Sequence, residues 1–130
     1  MIENQRLLDS NIVICHFRHG GAVTDRLERL DGLYLPSIAL GELYSGALRT
    51  ARPAKHVELI ETFLTGVKVV VPDVETAVIY GRLSAQLAAK GAPIPQNDVW
   101  IAACAMRWDL KPASTDRHFD RIEGLAWERW

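Results

Sequence analysis

Arg6-Leu7-Leu8-Asp9-Ser10-Asn11 is a short apolar run that stops at an acid and a turn-forming polar pair. Apolar runs bounded by turn signals read as buried parallel strands, and the ligands of open α/β sheets gather just beyond the carboxyl ends of such strands. Asp9 stands at one of those ends. The function then depends on whether carboxylates distant in sequence return to the same edge, and three are placed to do so: Glu42, Asp98 and Asp116.

Outward from this stretch, helices and strands alternate. Ile12 to Phe17 is expected to form a short helix capped by Asp9 or Ser10, and His16 to Thr24, carrying Gly20-Gly21, a loop. His16 and His19 lie a helical turn apart but lack cysteine or carboxylate partners at ligand spacing, so they read as loop residues and not as a metal site. Asp25 to Leu30 reads as a small helix ended by Asp31-Gly32, and Leu33-Tyr34-Leu35 as a second strand stopped by Pro36. Ser37 can cap a helix through about Arg49, offering Ile38, Leu43, Ala47 and Leu48 to the core and carrying Glu42 in its second turn. After a break at Pro53, His56 to Leu64 resumes a helix that Gly66 closes. Val67-Lys68-Val69-Val70-Val71 is the clearest strand, with Asp73 capping a helix from Val74 to Lys90. Asn97-Asp98 opens a helix whose residues Val99 to Met106 are apolar on every side, which predicts burial all round. Lys111 to Ser114 is a strand in which Pro112 argues for a start or an edge. Thr115-Asp116 starts a short helix to about Arg121, and Leu125 to Trp130 is expected as an edge strand.

Size and composition bound these readings. The chain has 130 residues, the size of one domain spanning 1–130, with 48% hydrophobic and 24% charged residues. Fifteen basic residues against sixteen acidic ones leave a net charge of −1, so no overall basic field advertises a polyanion and any nucleic-acid contact must be local. Cys15 and Cys104 are too few for a disulfide framework, and neither a signal peptide nor a membrane-spanning run stands out, which points to a reducing cytoplasm.

Alternating strands and helices predict a three-layer α/β sandwich with a mainly parallel central sheet flanked by helices. In that topology Asp9 leaves strand one, Glu42 follows strand two by about a turn and a half, Asp116 leaves strand four, and Asp98 heads the helix that runs antiparallel into strand four. Each acid has a bland reading as a helix cap, a first-turn acid or a solvated residue. Four such explanations meeting on one rim make a poorer account than one site. Clustered carboxylates repel unless a cation neutralises them, and Mg²⁺ or Mn²⁺ suits oxygen ligands and phosphate substrates.

Leu7-Leu8-Asp9-Ser10-Asn11, Glu42-Leu43-Tyr44-Ser45-Gly46, Asn97-Asp98 with Ile101-Ala102-Ala103, and Ser114-Thr115-Asp116 with Phe119 resemble, in order, the four motif blocks of PIN-domain ribonucleases, and most nearly those of VapC-like toxins. The resemblance covers almost the whole chain. It implies a metal-dependent endoribonuclease that forms a homodimer and is restrained by an antitoxin protein. Asp9, Glu42, Asp98 and Asp116 would be its acidic, metal-holding site, Ser114 would hold the hydroxyl position, and Asn11 would support them. Two departures stand out: Ser10 replaces the usual threonine, keeping a hydroxyl, and Lys111-Pro112 interrupts a strand that is normally aliphatic.

Two other classes compete. A phosphoacceptor receiver domain shares the architecture, and Asp73 after Val69-Val70-Val71 mimics its phosphorylated position, but it requires an acidic pair after the first strand and a lysine after the last. A PIN fold retained as a weakly active or inactive binding module is the nearer alternative. For RNA, Arg49 lies seven residues from Glu42 on nearly the same helical face and leads the candidates for phosphate contact, followed by Arg18, Arg52 and Arg117. His118 has no evident acid–base partner in the sequence. A metal-activated water is therefore the expected nucleophile, leaving 5′-phosphate and 3′-hydroxyl ends. Tyr44, Leu48, Leu59, Ile60, Ile79, Tyr80 and Leu83 exceed what one core of this size hides, which predicts a partner surface.

Overall fold

The computed structural model describes residues 4–130, and its central strand is the stretch that opens the reading, β1 (Gln5–Leu8). With β2 (Gly32–Pro36), β3 (Lys68–Val70), β4 (Lys111–Ser114) and β5 (Glu128–Arg129) it forms a five-stranded sheet in the order β3-β2-β1-β4-β5. Every pairing is parallel, with Leu7 opposite Tyr34 on one side and Leu8 opposite Ala113 on the other. Leu7 and Leu8 are both fully buried. Successive strand residues face opposite sides of a sheet, so both faces are covered. The cover is α1 (Ser10–His19), α2 (Gly21–Arg29), α3 (Ser37–Leu48), α4 (Pro53–Leu64), α5 (Val74–Ala89) and α6 (Gln96–Arg107), with a short 3₁₀ helix at Arg117–Arg121. This is the expected α/β sandwich with a parallel central sheet. Ile12, Leu35, Ile101 and Phe119 are fully buried around β1. Bidentate pairing of Arg6 with Glu128, at 3.0 and 2.9 Å, spans β4 to tie β1 to the sheet's edge and holds the Glu128 carboxyl down at about 2.

Several local expectations are corrected. The segment 16–24 is not a loop: α1 runs through His19 and breaks at Gly20, whose φ of 59° suits glycine, and α2 starts at the next residue. The corner is locked by His16 Nδ1 lying 2.6 Å from Thr24 Oγ1. Pro53 does not break a helix but opens α4, where its missing N–H has no acceptor to lose. Ser37 is the first residue of α3 and Pro36 occupies the cap position. Leu48 is 64% exposed and outside the core, whereas Ile60 and Leu83 are buried within it. The valine run keeps three residues as the short edge strand β3, because β2 alone pairs with it, and Val69 and Val71 are exposed. At the other edge, β5 is confined to Glu128–Arg129.

Pro112 sits in β4, an inner strand, and its ring is buried. Ala113 accepts from Asp9 N–H on the β1 side and Ser114 accepts from Trp130 N–H on the β5 side, so the alternation turns the nitrogen of Pro112 toward β5. The β5 ladder begins one residue later, at Ala113, and no rung is lost. The helix α6 is buried at Val99 and from Ile101 to Ala105, but Trp100 is partly exposed and stacks on Tyr80 of α5 at 4.1 Å. Asp73, the receiver-like position, caps α5 by accepting from Thr76 N–H at 2.9 Å and pairs with Arg107 at 2.9 Å. The guanidinium holds its carboxyl well below the usual range. Among the described residues no helix is long and apolar enough to cross a membrane.

Candidate active site and metal centre

Where β1 and β4 end side by side, a buried hydroxyl knots the two strands. Ser114 Oγ donates to Asp9 Oδ2 at 2.7 Å and accepts from Asn11 Nδ2 at 3.2 Å and from Asp116 N–H at 2.9 Å. Asn11 also donates to Asp9 Oδ2 at 3.3 Å, and its Oδ1 accepts from Thr115 N–H. Asp9 itself is 4% exposed, and its Oδ1 accepts from Ser10 N–H to cap α1. Both its oxygens are therefore held, with the strand fixing the backbone and the cap fixing the rotamer.

A carboxylate in that position is expensive to ionise. Burial raises the Asp9 carboxyl to about 6 against the pull of the Ser114 hydrogen bond, and the charges of Asp98 and Glu42 push the same way. Glu42, on α3, is raised by burial and then by Asp98, while hydrogen bonds from Asn97 and Ser10 oppose the shift. Ser10 Oγ lies 3.4 Å from Glu42 Oε1. Asp98, in the first turn of α6, is raised by burial and by Asp116, with His118 opposing. Asp98 is thus the common neighbour: its charge is felt at Asp9 and Glu42, and it feels that of Asp116.

The histidine is what sequence reasoning missed. His118 Nδ1 lies 3.0 Å from Asp98 Oδ2 and 2.9 Å from Asp116 Oδ2. Asp116 caps the 3₁₀ helix by accepting His118 N–H on Oδ1 at 2.9 Å, and this tight turn swings the ring back over the other oxygen. The ring therefore has two carboxylate partners, contrary to the expectation that it has none. One signal was available: a 3₁₀ turn brings residue i+2 back to its cap. The partnership with Asp98, twenty residues upstream, needed the fold. One ligand atom each from Asp98, Asp116 and His118 falls within 4.8 Å of the others.

Arg49, at the end of α3, lines a groove with Ser10, Glu42, Ser45 and Asn97, and its Nε donates to the Ser45 carbonyl at 3.1 Å. Arg18 lines a second, more apolar groove that shares Glu42 with the first and is lined also by Phe17, Leu43, His56, Leu59 and Ile60. Arg52 and Arg117 line neither groove.

A five-stranded parallel sheet with acids from the end of β1, from α3, from α6 and from the end of β4 on one rim is the arrangement of a PIN domain. The PIN domain family model matches residues 6–125, and the chain belongs to that family. Within it the chain falls among the VapC ribonucleases. Ribonuclease VapC2 of Haemophilus influenzae is 32% identical over 127 residues, covering 95% of this chain and 96% of that protein. The tRNA(fMet)-specific endonuclease VapC of Shigella flexneri is also 32% identical over the same length and coverage. Among solved structures, the VapBC2 complex of Rickettsia felis bound to a DNA fragment from its promoter contains a chain that matches with a TM-score of 0.92 at 25% identity, over 97% of this chain and 98% of that one.

Proposed function

We propose that the protein is a divalent-metal-dependent endoribonuclease, the toxin of a toxin–antitoxin pair, acting in the cytoplasm as a single 1–130 domain within a homodimer. The observation that carries this reading is the convergence of Asp9, Glu42, Asp98 and Asp116, three of which are made weaker acids than ordinary carboxyls by burial and by their acidic neighbours. An inactive binding module has no use for carboxylates kept at that cost. The donor set fits Mg²⁺ or Mn²⁺, since hard carboxylate oxygens suit these ions and a cation relieves the crowding. Asp9, Glu42, Asp98 and Asp116 would hold the metal. When bound, the metal supplies a water of lowered pKa and positive charge for the phosphoryl oxygens.

The protein's own part is orientation. Ser114 and Asn11 fix the Asp9 carboxylate, and the Ser114–Asp116 N–H bond sets where the chain turns into the last acid. Ser10 and Asn97 hold Glu42 at the mouth of the groove. Arg49 in that groove contacts an RNA phosphate, which positions substrate without reading sequence. The apolar groove lined by Phe17, Leu43, Leu59 and Ile60 receives an apolar segment of the antitoxin, as befits a chain whose relatives occur in VapBC complexes. Purified protein should cleave single-stranded or looped RNA, lose activity in EDTA and regain it with Mn²⁺ or Mg²⁺. End-group analysis should find 5′-phosphates. Cyclic phosphate ends, or undiminished cutting in EDTA, would overturn the reading.

A further inference from the structure

His118 occupies a position that the acidic reading of the site does not use. Its ring nitrogen faces two carboxylate oxygens at once, Asp98 Oδ2 at 3.0 Å and Asp116 Oδ2 at 2.9 Å. A nitrogen carries at most one hydrogen, so one N–H cannot point squarely at both oxygens. Ligand atoms of these three residues, one from each, all lie within 4.8 Å of one another, close enough for one ion to touch all three. Neighbouring ligands of an octahedral ion stand √2 bond lengths apart, about 3.0 Å for bonds of about 2.1 Å. Both contacts from the ring nitrogen, at 3.0 and 2.9 Å, match that spacing as well as a hydrogen bond's, so an ion can replace the shared proton with little movement of the ring.

The surroundings agree. Asp116 Oδ1 is occupied by His118 N–H, so Oδ2 is the oxygen left to face the ring and Asp98. Asp98 presents its Oδ2 from a side chain 13% exposed, while the imidazole is 36% exposed and open to solvent exchange on one side. The ring sits on a 3₁₀ turn fixed at its cap by that same acid and anchored below by fully buried Phe119. Its placement is thus built into the turn.

We propose that His118 is a nitrogen ligand of the site's metal, making this a mixed nitrogen–oxygen centre that favours Mn²⁺ over Mg²⁺. The inference rests on the metal-nuclease reading above and adds a ligand to it. Imidazole suits first-row transition ions, whereas Mg²⁺ keeps to oxygen ligands and water, so a nitrogen donor discriminates between ions that four carboxylates treat alike.

The test reads binding, not cleavage. Mn²⁺ is added to the metal-free protein, and electron-spin-echo modulation reports any nitrogen bonded to the ion. Affinities for Mn²⁺ and Mg²⁺ are measured in parallel for the native chain and for His118→Gln, whose amide can still hydrogen-bond the carboxylates. Expected are a directly bonded ¹⁴N signal in the native protein that vanishes in the variant, a loss of Mn²⁺ affinity of about tenfold or more, and a change in Mg²⁺ affinity below about threefold. Bound Mn²⁺ without a nitrogen signal, or equal losses for both ions, would overturn the ligand role and leave the metal-nuclease reading standing. A native chain that binds neither ion would overturn both. Should the variant fail to fold, the native signal still decides.

Discussion

Replacing Asp9 by asparagine should stabilise the metal-free protein at neutral pH while abolishing activity. Asp9 ionises at about 6 in the fold against 3.8 for an ordinary aspartate, a rise of about two units, or about 3 kcal/mol at roughly 1.4 kcal/mol per unit. Its 4% exposure leaves little solvent to screen that cost. The sign follows from proton counting. Below 3.8 the carboxyl is protonated folded or unfolded and contributes nothing. Between 3.8 and about 6 the folded chain binds the proton and the unfolded chain does not, so stability falls as pH rises. Above about 6 the whole penalty is present, and Glu42 and Asp98, also raised, add in the same sense. The depressed carboxyls of Asp73 and Glu128 work the other way, but only below their ordinary values of 3.8 and 4.5, beneath the range to be measured. An asparagine removes the charge but disturbs the bonds from Ser114 and Asn11 to Oδ2, at about 1 kcal/mol each, so the net gain at pH 7.5 should be about 1 kcal/mol. Urea unfolding in chelator, from pH 4.5 to 7.5, measures it. The native chain should lose stability across that range and Asp9→Asn should lose less, and millimolar Mn²⁺ should reverse their order by binding the native fold. A native stability flat with pH in chelator, or a variant weaker than native at pH 7.5, would refute the argument.

Other expectations follow from single contacts. Ser114→Ala removes a hydroxyl with three partners in a fully buried position and should cost about 2–3 kcal/mol by thermal unfolding, with cleavage falling further than stability explains. Arg49→Ala should raise KM for RNA and flatten its salt dependence while leaving melting temperature and Mn²⁺ binding unchanged, since the side chain is an exposed groove residue. Glu128→Gln breaks a bidentate pair with a carboxylate 35% exposed, so the loss should be modest, about 1 kcal/mol at pH 7, and the native advantage should fade as pH drops from 4.5 toward about 2. Light scattering at tens of micromolar should report a dimer; a strict monomer would refute the homodimer.

What the sequence made legible was whatever a short window controls. The apolar run into Asp9 marked the central strand because burial on both faces removes all alternation, and Asp73 and Asp116 announced their helices as caps do. The four acids could be placed on one rim because a parallel sheet fixes which end of each strand is shared. Features decided by partners were hidden. Pro112 reads as an edge signal until one knows that its nitrogen faces a neighbour not yet begun. The valine run looked like the strongest strand, yet strand length is set by the neighbour and β3 has one. Gly20-Gly21 marked a break, but a one-residue corner and a loop look alike until the His16–Thr24 contact is seen. His118 was set aside for want of a partner that lies across the fold in Asp98.

The knot at Ser114 also sets a timetable. β1 leaves the ribosome before β4, but its strand-four neighbour and the hydroxyl that orients Asp9 come from residues 111–114, and the last acid follows them. A growing or prematurely stopped chain that lacks β4 has neither the Ser114 hydroxyl on Asp9 nor the last acid, Asp116. Such fragments should be harmless to the cell that makes them, and the message being translated should be safe from its own product until that strand has emerged and docked.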